Sequence, residues 1–285
     1  MRFSVITPSF QNSRWLKLCI ASVADQDADV EHIVQDAGSD DGTLEWLPKD
    51  DRVKTFVEKD DGMYDAVNRG FKKSVGEICS YLNCDEQYLP GTLASVGMFF
   101  DEHPEVDILF GDSVVVDSSG KFLCHRKSLL PLKPHTMVSR NLSILTCAAF
   151  FRRSIFESRG LYFDPAWRIL GDAEWLLRCI DQKVPMAVLK RFTSVFTNTG
   201  VNLSLHPSAR RERERFVSTA PGWFRRAKPL IVAHHRLRKL FNGLYRQNPL
   251  EYAVYTLDSP DQRVVFRISR PTALWINDSW KTAKS

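Results

Sequence analysis

Short apolar runs alternate with helix-period stripes along the first hundred residues. Phe3 to Thr7 is a run rich in β-branched residues closed by Pro8, which cannot continue a strand ladder. A helix follows, with Ser13 as candidate N-cap and Leu16, Cys19/Ile20 and Val23 recurring at three- and four-residue spacing through Gln26. The next apolar run, His32 to Val34, ends in Gln35-Asp36 and a Gly/Ser/Asp-rich turn leading into Thr43 to Leu47. Lys54 to Glu58 then predicts a third strand, Tyr64 to Ser74 a helix and Ile78 to Leu82 a fourth strand, and Pro90 opens a further helix at its first turn. Alternation at this pitch predicts an α/β fold, a mostly parallel sheet flanked by helices on both faces.

In such sheets ligands bind outside the carboxyl ends of the strands. Here those ends carry Thr7, Pro8 and Ser9; Asp36, Ser39, Asp40 and Asp41; Asp60 and Asp61; and Asn83, Asp85 and Glu86. Carboxylates crowded on one rim repel each other, an arrangement that a divalent cation or a donor-rich ligand relieves. Gly38 and Gly42 do not make the G-x-G-x-x-G turn, and the chain has no G-x-x-x-x-G-K-[ST] loop, so phosphate is expected to be handled through a metal rather than a glycine cradle.

Composition narrows the class. Of 285 residues, 44% are hydrophobic and 26% charged, ordinary globular usage that excludes disordered, collagen-like and disulfide-stapled proteins. Uncharged apolar runs fall short of the ~18–20 residues of a membrane span; the longest candidate, Tyr88 to Phe100, is cut by Pro90, Gly91 and Gly97. Only Phe3 to Ile6 follow Arg2 before Thr7-Pro8, too short for a secretory signal, and the cysteines at 19, 79, 84, 124, 147 and 179 show no paired spacing. A cytoplasmic protein with free thiols is expected. The net charge of +5 hides an asymmetry: residues 1–209 carry −5, residues 210–246 carry +9 and residues 247–285 carry +1. An acidic body of residues 1–205 is thus expected to precede a basic, largely helical extension of residues 206–285. In that extension Leu230, Ile231, His234, Leu237, Phe241 and Leu244 give one apolar helical face beside many arginines.

Three stretches resemble the family 2 glycosyltransferases. Ser4 to Asn12 is similar to that family's first strand and loop, and His32 to Thr43 to its D-x-x-S-x-D-G-T turn. Asp60-Asp61-Gly62-Met63-Tyr64-Asp65-Ala66-Val67-Asn68-Arg69-Gly70, with Leu82-Asn83-Cys84-Asp85-Glu86, is similar to its D-x-G-x-Y-D-A-x-N-x-G segment and acidic metal motif. Weaker similarity runs through Ala148 to Arg153 and Gly171 to Arg178. The resemblance implies a GT-A fold and inverting transfer of a sugar from a nucleotide diphosphate, UDP by default, to a hydroxyl of a glycan or lipid-linked acceptor in envelope polysaccharide synthesis.

It further implies nucleotide-sugar contacts from Thr7, Pro8, Ser9, Asp36, Asp60, Asp65, Asn68, Asn83, Cys84 and Asp85, with Asp36 on the nucleobase. Mn²⁺ or Mg²⁺ would be held by Asp85 with Glu86, and the general base would be Asp172, with Glu174 in reserve. One departure stands out: the first acid of the usual D-x-D is Asn83, which adds no charge for the cation. Each residue also has a plain structural role open to it: a strand end for Thr7 to Ser9, turn caps for Asp36, Asp41 and Thr43, a solvated helix face for Asp65 and Asn68, an N-cap for Asp172. The tail has two destinations, packing against the body or docking on the anionic inner face of the cytoplasmic membrane; nucleic acid is not expected. The competing function is a non-catalytic nucleic-acid- or membrane-binding protein acting through that tail.

Overall fold

The computed structural model describes residues 2–139, 142–200 and 208–274. Strand β1 (Phe3–Ser9) leads to α1 (Ser13–Ala24), β2 (Val30–Asp36), α2 (Thr43–Trp46), β3 (Lys54–Val57), α3 (Met63–Lys73), β4 (Ile78–Tyr81), β5 (Glu86–Tyr88) and α4 (Thr92–Glu102). The chain continues through β6 (Ile108–Asp117), β7 (Phe122–Arg126), α5 (Lys133–Val138), β8 (Ala149–Arg152), α6 (Ser154–Glu157), α7 (Gly171–Asp181) and β9 (Met186–Asn198). The main sheet runs β3-β2-β1-β4-β8-β6-β9-β5, with β7 on the distal half of β6. Its first four strands are parallel; β8 is antiparallel to β4 and β6, and β9 is parallel to β6.

The sheet is covered on both faces because neighbouring residues of each strand point opposite ways. Ile6, Phe110 and Phe151 join Val67 and Phe71 of α3 and Trp175 of α7 in one core. Val5, Leu109 and Phe150 join Cys19 and Val23 of α1 and Leu93, Val96 and Phe100 of α4 in the other. Each such side chain contributes roughly 1.5–3 kcal/mol on burial. All six cysteines are free and buried.

Register lines up the predicted rim. Ser9 pairs with Asp36, Asp36 with Val57 and Ile6 with Tyr81, so the loops after β1, β2, β3 and β4 leave one edge of the sheet together.

Three sequence expectations change. Pro8 does not close the first strand: it stands opposite Gln35 within the ladder, and β1 runs on to Ser9. Pro90 precedes its helix rather than opening it; Gly91, in the left-handed region at φ 71°, takes the N-cap and α4 starts at Thr92. The extension is helical only in its first part, through α8 (Ser208–Ser218), α9 (Gly222–Arg226) and α10 (Lys228–Phe241), and then forms an antiparallel hairpin of β10 (Leu250–Thr256) and β11 (Ser259–Ile268). That hairpin returns to the body. Tyr252 and Val254 pack with Val114, Val116 and Val195, and the Arg263 guanidinium donates to both oxygens of Asp25, the C-cap of α1, at 2.6 and 2.7 Å. Tyr252, Val254 and Thr256 are buried at the two-residue period of a strand covered on one face. The expected boundary near residues 205–206 lies outside the described residues.

Candidate active site

The loops after β1 and β2 are laced into one surface. Asp36 is fully buried, and its carboxylate accepts from the Ser9 hydroxyl (2.7 Å), the Ser39 hydroxyl (2.8 Å), and the Gly38 and Ser39 amides (2.9 and 2.7 Å). Four donors fill the lone-pair positions of a carboxylate, so Asp36, expected on the nucleobase, is spent on shaping its own turn. The Gln11 amide N–H donates to Ser39 Oγ and the Gln11 side chain to Asp40. Asp41 accepts the Ser13 N–H that begins α1 and the Thr43 N–H that begins α2, the capping role open to it in the sequence. Ser13 does not cap α1; its hydroxyl accepts from the Trp46 indole at 2.8 Å.

Several expected contacts turn away from the rim. Thr7 is buried with its hydroxyl on His32 Nε2 at 2.8 Å, because a side chain two before Ser9 lies inside the sheet layer. The Cys84 thiol donates to the Pro8 carbonyl at 3.3 Å, holding the β4–β5 turn against the end of β1. Asn68 is buried, and its amide clasps both backbone groups of Phe163 at 2.7 and 2.9 Å, so it ties α3 to the segment before α7. Thr7, Cys84 and Asn68 thus hold the framework of the site.

The acidic part of the rim has two centres. After β3, Asp60 accepts the Gly62 N–H at 2.8 Å, and Asp65 accepts the Asp61 N–H and pairs with Arg69 at 2.7 Å. Desolvation, with the charges of Asp65 and Asp61, pushes Asp60 above its ordinary value. Gly62 sits at φ 111° with the Arg168 guanidinium where a Cβ would project, so only glycine lets that cation close over the turn. After β4, burial pushes Asp85 up to about 6; Glu86, desolvated beside the Asp85 charge, is pushed up to about 8. Glu86, expected beside Asp85 on the metal, is instead 1% exposed and folds back to accept the Asn83 N–H at 2.8 Å. Two desolvated carboxyl groups at one turn would fit a cation that arrives with its own phosphate ligands. No cluster of three His, Cys, Asp or Glu side chains suited to a metal occurs among the described residues.

The start of α7 carries the expected base and its reserve. Glu174 is held by Arg178 through two hydrogen bonds of 2.8 and 3.0 Å, which removes it as a reserve base. Asp172 is half-buried, and desolvation pushes its carboxyl up to about 6 although the Ala173 N–H and the Tyr64 hydroxyl pull it down. The buried Tyr81 hydroxyl feels the charges of both Asp172 and Glu86, which puts α7 and the β4–β5 turn at the same end of the sheet. Tyr64, in the Asp60–Gly70 stretch, has a role that its motif alone does not reveal. Its buried hydroxyl donates to the Ile169 carbonyl at 3.3 Å and accepts the Asp172 N–H at 3.1 Å, and at Gly171 a Cβ would strike its ring. From the tail, Glu212 of α8 accepts the Arg168 and Ile169 amides at 2.7 and 2.9 Å. Residues 44 positions apart carry no local signal of that contact.

The family model described as "Glycosyl transferase family 2" matches residues 4–160, more than half of the chain and all of the rim up to β8. The chain belongs to glycosyl transferase family 2. Among curated relatives, the "PGL/p-HBAD biosynthesis glycosyltransferase" of Mycobacterium tuberculosis is 31% identical over 188 residues, covering 62% of this chain and 69% of the relative. The glycosyltransferase also shares its GT-A fold with solved structures. Staphylococcus aureus TarS 1–349 in complex with UDP-GlcNAc aligns at TM-score 0.57 and 19% identity, over 77% of this chain and 66% of that one. The mannosyltransferase PcManGT of Pyrobaculum calidifontis, in complex with GDP-Man and Mn²⁺, aligns at TM-score 0.53 and 17% identity over 76% and 61%. The chain thus spans just under two thirds of these structural neighbours.

Proposed function

We propose that this glycosyltransferase moves a sugar from a uridine diphosphate donor to a hydroxyl of a glycan or lipid-linked acceptor, inverting the anomeric centre. The observation that carries the reading is Asp172, a carboxyl with its pKa raised to about 6, set by Tyr64 at the acidic end of the sheet. Such a group is ionised at neutral pH yet more basic than an ordinary carboxylate, as a base for an alcohol requires. The Asp36 turn receives the nucleobase against its backbone, and Asp60, Asn83 and Arg168 border the ribose and diphosphate. Asp85 would hold Mn²⁺ or Mg²⁺ together with the diphosphate, and the cation would supply neutralising charge to the departing group. Asp172 accepts the acceptor proton as the hydroxyl attacks the anomeric carbon from the face opposite the diphosphate. UDP in TarS and Mn²⁺ in PcManGT support the donor and the metal. The acceptor reading places the enzyme at the cytoplasmic side of a membrane.

The test is a donor-hydrolysis screen over UDP-, GDP- and dTDP-sugars with Mn²⁺, followed by NMR of the product anomer. Asp172 follows the first residue of α7 rather than capping the helix, so Asp172→Asn keeps size and an acceptor for the Ala173 N–H and removes basicity. Turnover should fall by roughly 10²–10⁴ with donor affinity unchanged. A product that retains the anomeric configuration, or full activity in this variant, rejects the assignment.

A further inference from the structure

We propose that the outward face of α10, with the exposed residues of α9, is a docking surface for an anionic lipid bilayer. One side of α10 is anchored. Ile231 packs with Met137, Val138 and Phe224, and the His235 ring stacks on His135 of α5 with centroids 3.4 Å apart. The other side is bare: Leu230 (74% exposed), Leu237 (51%), Leu240 (55%) and Phe241 (82%) follow one another at helical spacing along a single stripe. Of the six-residue apolar face expected from sequence, only Ile231 and Leu244 are therefore spent on the body. In α9, Trp223 is 64% exposed beside the exposed Arg225 and Arg226.

Charge selects the occupant. Residues 210–246 hold eleven Lys and Arg against two acids. Both acids are engaged, Glu212 on the 168–169 backbone and Glu214 on Arg210 of the same segment at 3.0 Å, which leaves the other cations in excess. A second copy meeting through the same stripe would bring two segments of net +9 together, an unfavourable encounter. Leu and Phe side chains beside arginine, with an exposed tryptophan nearby, suit an interface whose headgroups are anionic and whose next layer is hydrocarbon. The same tail holds the loop before Asp172 through Glu212, so a docked tail keeps the base end of the rim close to the lipid surface. The surface is read from the tail alone, and its test does not involve the assignment of Asp172.

The experiment is co-sedimentation of the full chain with vesicles of phosphatidylcholine alone and of phosphatidylcholine with 30 mol% phosphatidylglycerol, at low and high salt. Wild type should bind the anionic vesicles at least tenfold better than the neutral ones and lose that preference in high salt. Leu237→Glu/Phe241→Glu should lower anionic binding at least tenfold; these positions are exposed, so donor hydrolysis and the circular dichroism spectrum should match wild type. Arg225→Glu/Arg226→Glu should weaken anionic binding and leave the weak neutral binding unchanged. A chain ending at Leu274 should bind as wild type. The proposal is overturned by equal recovery on both vesicle types, by binding that survives Leu237→Glu/Phe241→Glu, or by loss of binding in the chain ending at Leu274. Salt-resistant self-association that this double substitution abolishes would also overturn it.

Discussion

The Tyr64 hydroxyl accepts the backbone N–H of Asp172 across 108 positions of sequence, and at the same time donates to Ile169. One phenol thus pins both sides of the turn that presents the candidate base. Tyr64→Phe leaves the ring stacked on Phe163 at 5.2 Å and removes both bonds, so turnover should fall by roughly 10–100-fold at nearly constant donor KM, an effect of base placement. The Tyr64 hydroxyl also helps to lower the Asp172 pKa from where burial alone would put it. Activity should decline below about pH 6 in wild type as the base protonates, and this acid limb should move to higher pH in Tyr64→Phe. Steady-state kinetics between pH 4.5 and 8 measures both effects.

Glu212 acts on the same turn from the tail, with a different sign. Its charge raises the Asp172 pKa, the smallest of the contributions resolved there after burial. Glu212→Gln keeps one acceptor oxygen and loses the charge, so the acid limb should move to lower pH, while Glu212→Ala also frees the Arg168 and Ile169 amides and should lower turnover about tenfold. An acid limb that stays where wild type has it in Glu212→Gln, in an enzyme whose Asp172→Asn variant is inactive, would show that the tail does not act on the base.

Metal dependence should rest on Asp85. In wild type, UDP with saturating Mn²⁺ should raise the melting temperature by several degrees, since ligand at ~100 times its Kd adds about 2.7 kcal/mol to the native state. Chelation should abolish most of that shift. Asp85→Ala should show the chelated behaviour with or without Mn²⁺, lose metal-dependent hydrolysis at least 10²-fold, and melt within ~2 °C of wild type when free of ligand, because a rim side chain adds little to the core.

Glu86 gives a stability signature. Its folded pKa of about 8 lies above the 4.5 of the unfolded chain, so the unfolded state holds fewer protons between those values and stability declines as pH rises from 4.5 through 8. Glu86→Gln can still accept from Asn83 and carries no charge. In chelator the variant should melt with wild type at pH 4 and above it at pH 8, by at least ~1 kcal/mol, or about 2–4 °C. Parallel melting curves across that range would mean that Glu86 is ionised without penalty.

By itself, the sequence determined the parallel half of the sheet, its helices and the rim, since each rests on signals within a few residues, apolar period and turn residues. Ser9, Asp36, Asp60 and Asp85 came to one edge because parallel strands in register must end together. The tertiary structure decided which of the polar residues are framework and which face a ligand. Asn68 is spent on Phe163, Glu174 on Arg178 and Glu86 on Asn83. Those partners follow from how α3, α7 and the β4–β5 turn pack, and residue type does not distinguish a satisfied carboxylate from an available one. The tail shows the same division: its charge and amphipathic period are local properties, whereas the Arg263–Asp25 bond, the Glu212 brace and the burial of Ile231 beside an exposed Leu230 exist only because distant segments fold back onto the body. Hydrogen bonding and burial between residues far apart in the chain are long-range quantities, so they appear only when the chain is closed.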